Sequence, residues 1–259
     1  MHMNGNTILI TGGGSGIGRA LAEAFMQRGN TVIIAGRRQN KLDEVTAANP
    51  GMKSALLDIE DAGAVQRFAE AIRAEYRALN VLINNAGIMR PEIVTDGTLD
   101  TAEATITTNL LGPIRLTAAL LPHLLTQPHA AVLTVSSGLA FMPMAATPTY
   151  SATKAAIHSY TQSLRHQLRN AGVQVIELVP PYVQTELMGP GQATDPHAMP
   201  LAEYIAETLH LLETAPDAQE ILVERVKPLR YAEANGSHQA FFERFNAVSA
   251  AETEHADPA

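Results

Sequence analysis

The sequence predicts an α/β protein built on one doubly wound, parallel sheet. Short apolar runs alternate along the chain with longer stretches of helical period, the pattern of repeated strand–helix–strand units. The runs are mostly continuous rather than alternating, as expected of strands that helices cover on both faces. A glycine-rich turn joins the first run to the first periodic stretch. The length of 259 residues suits a single domain, residues 1–259.

Seven runs are predicted to be strands. They are Thr7–Thr11, Thr31–Ala35, Ser54–Leu57, Val81–Ile83, Ala131–Ser136, Val173–Leu178 and Glu220–Val223. Between the first two, Ile17, Leu21 and Phe25 recur at helical spacing and predict a helix with one face on the sheet. Longer helices are predicted over Leu99–Leu125 and Tyr150–Asn170.

The remaining segments are less regular. Proline and glycine predict a loop or short helices over residues 182–200, a candidate substrate loop. From Asn246 to the end, residues 246–259, large apolar side chains are few, and we expect a frayed tail.

Composition excludes several classes of function. The formal net charge of −8 argues against a nucleic-acid partner, and no apolar run approaches the length of a membrane span. The absence of cysteine excludes disulfides and thiol chemistry. No secretory signal is visible, so we expect a cytoplasmic protein. The histidines are scattered, with His158 and His166 on one predicted helix, and no metal site is expected.

The glycine-rich turn is the first candidate site. Gly12, Gly16 and Gly18 follow the first strand in the order TGxxxGxG, and Ser15 and Ile17 open the helix after it. Glycine lets the backbone turn sharply and approach a pyrophosphate, while the helix N-terminus offers free N–H groups. A flexible loop shares this composition, but the strand before and the helix after it favour a dinucleotide site.

The end of the second strand indicates which dinucleotide. NAD sites usually place an acidic residue there, whereas this chain has Gly36 followed by Arg37 and Arg38. Guanidinium groups suit the 2′-phosphate of NADP(H), because they bind phosphate through paired N–H bonds. The alternative is a solvated charge pair on a surface loop. We expect NADP(H).

Two further segments are weaker candidates for cofactor contacts. Asp58 ends the third strand, where it could meet the adenine amino group or simply cap a turn. Asn84, Ala86 and Gly87 follow the fourth strand, at the carboxyl edge where ligands of open parallel sheets bind.

The catalytic candidates are Tyr150, Lys154, Ser137 and Asn109. Tyr150 and Lys154 are four residues apart on a predicted helix and so share a face, where an ammonium would lower the pKa of the phenol. Ser137 ends the fifth strand and could hold a substrate oxygen; Ser136 should point to the other side of the sheet. The amide of Asn109 could bind a water that connects Lys154 to solvent, or be an exposed polar group.

Together these motifs resemble the short-chain dehydrogenase/reductase family over nearly the whole chain, and the Ala35–Arg38 segment resembles its bacterial DltE-like subgroup. The resemblance implies a Rossmann-type, seven-stranded sheet, a Ser–Tyr–Lys site extended by Asn109, and contact of Lys154 with the nicotinamide ribose. It implies cofactor contacts for Pro180, Val183 and Thr185. It also implies a homodimer or homotetramer. The family's usual Pro-Gly is Pro180–Pro181 here, which puts the pocket shape in doubt.

The expected activity is hydride transfer between NADP(H) and a carbonyl or secondary alcohol, with Tyr150 as acid and base. Nine apolar residues lie near the motif ends and suggest a bulky apolar ketone as the substrate. About half of them are expected to join the core or an interface instead. The nine are Ile88, Met89, Leu139, Phe141, Met142, Met144, Tyr182, Leu187 and Met188. Two alternatives remain: an NADPH-binding redox sensor without turnover, and a reductase of 3-oxoacyl groups on acyl carrier protein.

Overall fold

The computed structural model describes the backbone of residues 1–254 and the side chains of residues 1–247. Within them the chain forms one seven-stranded parallel sheet with helices on both faces. The predicted α/β class and Rossmann-type sheet are confirmed.

Each predicted strand is present, with bounds that shift by up to two residues. The strands are β1 Thr7–Thr11, β2 Thr31–Gly36, β3 Lys53–Leu56, β4 Leu79–Asn84, β5 Ala130–Val135, β6 Val173–Val179 and β7 Glu220–Leu222. Their order across the sheet is β3-β2-β1-β4-β5-β6-β7. The strand order therefore reverses between the parallel neighbours β1 and β4. At such a reversal a crevice opens at the carboxyl ends of the two strands.

Helices connect the strands. They are α1 Gly16–Gln27, α2 Gln39–Ala48, α3 Ala62–Glu75, α4 Asp100–Ile106, α5 Gly112–Leu124, α6 Pro148–Leu168, α7 Leu201–Thr214, α8 Lys227–Arg230 and α9 His238–Glu254. The long helix predicted over Leu99–Leu125 is interrupted by a π-helical turn, Thr107–Leu111, which separates α4 from α5. The segment 182–200 holds one short 3-10 helix, Pro190–Thr194, and is otherwise a loop.

Two apolar layers cover the sheet. On one side Ile8, Ile10 and Ile34 pack with residues of α1 and α7, and on the other Leu9, Ile33 and Leu82 pack with residues of α3, α5 and α6. Side chains of a strand alternate between faces, so β1 supplies both layers. The buried strands place their polar carboxyl ends at one edge of a rigid platform.

The expected frayed tail overlaps a helix. The backbone of residues 246–254 belongs to α9, which runs from His238 to Glu254. The Asn246 side chain bonds there to the backbone of Pro143 and Ala145. Residues 255–259 lie outside the described part. Within the described residues, no helix has both the length and the apolar character that crossing a membrane requires.

Candidate active site

The glycine-rich turn lies at the crevice and is too tightly packed for larger residues. A Cβ atom at Gly18 would lie 2.4 Å from both Asn85 Nδ2 and Gly12 O, and one at Gly12 would lie 2.8 Å from Asn85 Nδ2. Gly12 and Gly16 also have positive φ, +70° and +53°, which side chains disfavour. The turn therefore needs glycine at these positions for its own geometry, and a cofactor can approach its backbone closely.

Thr11 and Asn85 hold this turn against the end of β4. The Thr11 hydroxyl accepts hydrogen bonds from the backbone N–H groups of Asn85 and Ala86, each at 3.0 Å. The Asn85 amide in turn donates to the Thr11 carbonyl at 2.9 Å. In the sequence, Thr11 and Asn85 only flank the residues predicted to contact the cofactor. Both are positioning residues that link the two halves of the crevice.

The N-terminus of α1 is available to an anion. Ser15 is its N-cap residue and makes no side-chain cap hydrogen bond, so the first N–H groups of the helix, beginning at Gly16 and Ile17, have no capping side chain. Arg38 Nη2 lies 3.1 Å from Ser15 Oγ, which brings a guanidinium group to the glycine-rich turn. The helix N-terminus and the guanidinium group together favour the binding of phosphate groups.

The other candidates around the adenine end are already paired. Arg37 donates to Glu60 at 3.0 Å, and its side chain is 51% exposed. Asp58 is exposed and accepts from the backbone N–H of Glu60 at 3.0 Å, so its carboxylate has the turn-capping contact that the sequence left open. Of the two arginines, Arg38 lies at the glycine-rich turn and Arg37 at Glu60.

Asn84 and Asn109 both bond within the protein. Asn84 donates to Thr117 of α5 at 2.9 Å, and its Oδ1 has no hydrogen-bond partner among the described residues. Asn109 lies in the π-helical turn, where Oδ1 accepts from Ile88 N and Nδ2 donates to Ile88 O, both at 2.9 Å. The water contact expected of the Asn109 amide stays a prediction. A Cβ at Gly87 would lie 3.3 Å from Asn109 Oδ1, so the glycine makes room for this pairing.

Ser137 and Tyr150 meet beyond the carboxyl end of β5. Ser137 lies next to the Tyr150 hydroxyl, and its own hydroxyl accepts from Leu139 N at 3.1 Å. Tyr150 is 6% exposed, and burial raises its pKa to about 12, opposed by the Ser137 hydrogen bond. Ser136 instead contacts the carbonyl of Leu178 at 3.5 Å. The two serines diverge as strand alternation predicts, and Ser137 is the one that contacts the phenol.

Lys154 lies one turn along α6 from Tyr150. Its Nζ is 5.5 Å from the Tyr150 ring centroid and donates to Val135 O at 2.8 Å. Burial lowers the Lys154 pKa to about 8, opposed by the negative charge of Glu177. The expected lowering of the Tyr150 pKa by Lys154 is not found, because burial of the phenol dominates and raises the pKa instead.

The residues after β6 border the same crevice. Pro180 O accepts from Gly138 N at 2.9 Å, joining the ends of β5 and β6. Val183 pairs with Met199 and is buried. A Cβ at Gly16 would lie 3.5 Å from Thr185, so Thr185 neighbours the glycine-rich turn. Buried Gln192 donates to Thr185 Oγ1 and Val183 O; it gave no signal in the sequence.

The nine predicted pocket residues divide into three groups. Met142 and Met89 are buried, and Tyr182, Leu187 and Met188 are exposed large apolar side chains on the loop after β6. The other four, Ile88, Leu139, Phe141 and Met144, are half-buried. The exposed group is the part of the set that a substrate can reach. Tyr182 also donates to Asp195 at 2.9 Å, which ties the loop to itself.

A second polar cluster lies beneath α6. Ligand atoms of His158, Glu177 and Glu220 lie within 4.8 Å of one another. The proximity of the two carboxylates to His158 could not be read from the sequence, because the three residues come from α6, β6 and β7. Arg230 forms two bonds to Glu220, at 2.7 and 3.1 Å, and so competes with any metal ion for that carboxylate.

A glycine-rich turn at the point where the strand order reverses and a Ser–Tyr–Lys group at the same edge of the sheet together define a class of nicotinamide-dependent oxidoreductases. A family model described as short chain dehydrogenase matches residues 6–195. The chain belongs to the short-chain dehydrogenase family.

Individual relatives agree with this assignment. The chain is 41% identical over 253 residues to a Bacillus subtilis (strain 168) protein named uncharacterized oxidoreductase DltE, covering 95% of this chain and 98% of the relative. It is similar to a short chain dehydrogenase from Burkholderia cenocepacia J2315 in complex with NADP, at a TM-score of 0.79 and 26% identity, covering 94% and 98% of the two chains. A short chain dehydrogenase/reductase from Burkholderia phymatum in complex with NAD has a TM-score of 0.80 at 21% identity, covering 92% and 96%, and shows the shared fold alone.

Proposed function

We propose that this protein is an NADP(H)-dependent reductase of bulky, apolar ketones, or of the corresponding secondary alcohols in reverse, with Tyr150 as the acid and base. The observation that carries the proposal is the grouping of Ser137 and Lys154 around the buried Tyr150, with Lys154 Nζ 5.5 Å from the Tyr150 ring centroid. All three lie at the edge of the sheet that also holds the glycine-rich turn.

The residues around the crevice fit a nicotinamide dinucleotide. Glycines that tolerate no Cβ line the turn, and the uncapped start of α1 suits the pyrophosphate. Gly36 stands where NAD sites place a carboxylate, and Arg38 contacts Ser15 of the turn. These features favour the 2′-phosphate of NADP(H), as does the resemblance to a relative that binds NADP.

The side chains divide the chemistry among them. When bound, NADPH supplies the hydride that reduces a carbonyl carbon. Ser137 hydrogen-bonds the carbonyl oxygen, and Tyr150 donates its proton to that oxygen as negative charge develops there. A pKa of about 12 keeps Tyr150 protonated at neutral pH, as a proton donor requires. Lys154, when protonated, stabilises the phenolate that remains. Asn109 positions the loop that contains Ile88.

The substrate class follows from the loop after β6. Tyr182, Leu187 and Met188 expose apolar surface beside the catalytic edge, and Met adapts its shape to irregular ligands. We therefore propose a ketone with a large apolar substituent. We also propose a homodimer or homotetramer in solution, which light scattering tests.

Absorbance at 340 nm tests the function: NADPH oxidation is followed with a panel of aliphatic, aromatic and cyclic ketones, and in parallel with NADH. Faster oxidation of NADPH with bulky apolar ketones is expected. Tight NADPH binding without turnover of any ketone would favour the redox sensor. Turnover only of 3-oxoacyl groups on acyl carrier protein would favour the third candidate and overturn the proposed substrate class.

A further inference from the structure

Glu177 is a carboxylate in the middle of the core. It lies in β6 beneath α6, and its side chain is 0% exposed. Its Oε2 is 2.8 Å from His158 Nδ1, whereas its Oε1 has no hydrogen-bond partner among the described residues. A buried charge is costly unless an opposite charge compensates for it. An ionised carboxylate at the position of Glu177 therefore requires a nearby cation.

His158 is not that cation in the observed hydrogen-bond pattern. A carboxylate can only accept, so Nδ1 of His158 carries the proton in its bond to Glu177. On the other side of the ring, the Gln162 amide nitrogen lies 3.1 Å from His158 Nε2 and donates to it. With Nδ1 donating and Nε2 accepting, the imidazole is neutral. His158 orients Glu177 but does not neutralise it.

Lys154 lies where the compensating charge is needed. It precedes His158 by one turn of α6, so the two side chains share a helix face. Lys154 Nζ donates to Val135 O at 2.8 Å, and the residue before Val135, Thr134, is the register partner of Glu177 across β5 and β6. The ammonium and the carboxylate therefore lie between the same helix and the same pair of strands.

Two guanidinium groups also lie in the electrostatic field of Glu177. Arg230 forms its two bonds to the carboxylate of Glu220 in β7, which compensates its charge. Arg165 of α6 donates to the backbone carbonyls of Val175 and Gln219 and keeps its charge, but it lies farther along α6 from Tyr150 than Lys154 does. These two guanidinium groups also make the cluster a poor cation site.

We propose that Glu177, oriented by His158, is the buried counter-charge of Lys154 and acts on Tyr150 through it. Glu177 is thus a positioning residue of the active site, although it lies in the core beneath α6. Without it, the ammonium of Lys154 would lie in the core with the Val135 carbonyl as its hydrogen-bond acceptor among the described residues. The opposing influences of burial, which lowers the Lys154 pKa, and of Glu177, which raises it, agree with this arrangement. The catalytic consequence rests on the proposed function, but the charge pairing does not.

Lysine titration by NMR tests the pairing directly. The chain has four lysines, Lys41, Lys53, Lys154 and Lys227, so labelling lysine side chains with ¹³C gives a small set of signals, and Lys154→Met assigns the one of interest. In Glu177→Gln, the pKa of Lys154 should fall by about one unit, because a charge in the core is poorly screened. Glu177→Met, of similar volume, carries the same test if the glutamine variant does not fold.

Glu220→Gln is the matched control. It removes one negative charge from the neighbouring strand, but Glu220 is already paired with Arg230, so Lys154 should shift by less than half as much. An unchanged Lys154 titration in Glu177→Gln, or equal shifts in the two variants, would overturn the proposal.

Kinetics then separate the two proposals. In Glu177→Gln the alkaline limb of the kcat profile should move to lower pH by a similar amount, while the Kd for NADPH stays within about twofold. A chain that binds NADPH but reduces no ketone would refute the proposed function and leave the lysine titration standing. An active wild type with an unshifted variant profile would refute the role of Glu177 alone.

Discussion

Lys154 Nζ donates to the main-chain carbonyl of Val135 at 2.8 Å, which anchors an ammonium group at the end of β5. The same burial lowers the pKa of Lys154 to about 8 and raises that of Tyr150 to about 12. Burial thus reverses the order of the reference pKa values, 10.5 for lysine and 10.0 for tyrosine, so that Lys154 loses its proton before Tyr150. The predictions below follow from this pair and from the glycine-rich turn opposite it.

Tyr150→Phe should fold and bind NADPH but lose most of its turnover. The change removes the hydroxyl that lies next to Ser137, and a positioned general acid contributes about 10²–10⁴-fold. Steady-state kinetics and NADPH titration measure the two effects. Tyr160→Phe, on the same helix, is the control and should keep its activity. Near-wild-type turnover in Tyr150→Phe would remove the basis of the assignment.

The stability of the protein should rise between pH 7 and pH 10 because of Lys154. Its folded-state pKa of about 8 lies below the unfolded value of 10.5. The unfolded state therefore binds more protons than the folded state in this pH range, so that lowering the pH favours unfolding and raising it favours folding. The gain is about 2 kcal/mol. Urea unfolding measures it, and Lys154→Met should lack this part of the rise. Above pH 10 the raised pKa of Tyr150 acts in the opposite direction. Parallel curves for the two proteins would contradict the assigned burial.

Arg38→Ala should weaken NADPH binding by about one to two powers of ten, since a charge-assisted hydrogen bond contributes roughly 1.5–3 kcal/mol. Binding of NADH should change less, because it lacks the 2′-phosphate. Arg37→Ala is the matched comparison and should have a smaller effect, since Arg37 is paired with Glu60. Nicotinamide fluorescence gives both constants. Equal losses for NADPH and NADH would argue against contact of Arg38 with the phosphate.

Gly18→Ala should destabilise the protein by about 1–3 kcal/mol and abolish tight cofactor binding, because the new methyl group would overlap Asn85 Nδ2 and Gly12 O. Thermal unfolding and NADPH titration report the two effects. Gly191→Ala is the control, since a Cβ there meets nothing within 4 Å. A Gly18→Ala protein with normal stability would show that the turn can open without cost.

The sequence predicted the strands and the local motifs well because they depend on local properties. Continuous apolar runs mark buried strands, and the four-residue spacing of Tyr150 and Lys154 places them on one helix face whatever surrounds them. The end of the fifth strand likewise marked Ser137 as the residue that could hold a substrate oxygen, and its position thirteen residues before Tyr150 supported the family resemblance.

Other features could not be read from the sequence because they depend on distant partners. The pairing of Asn109 with Ile88 needs the π-helical turn. The paired state of Arg37 depends on Glu60, which belongs to another connection.

By itself the sequence determined the α/β class, the glycine-rich turn and the helical pairing of Tyr150 with Lys154, because periodicity and backbone preference act over a few residues. Only the tertiary structure decided how strongly each group is charged. Burial and the approach of Glu177 control the Lys154 pKa, and both arise when α6 packs onto β5 and β6. Desolvation depends on all the neighbours of a group at once, and those neighbours come from separate parts of the chain.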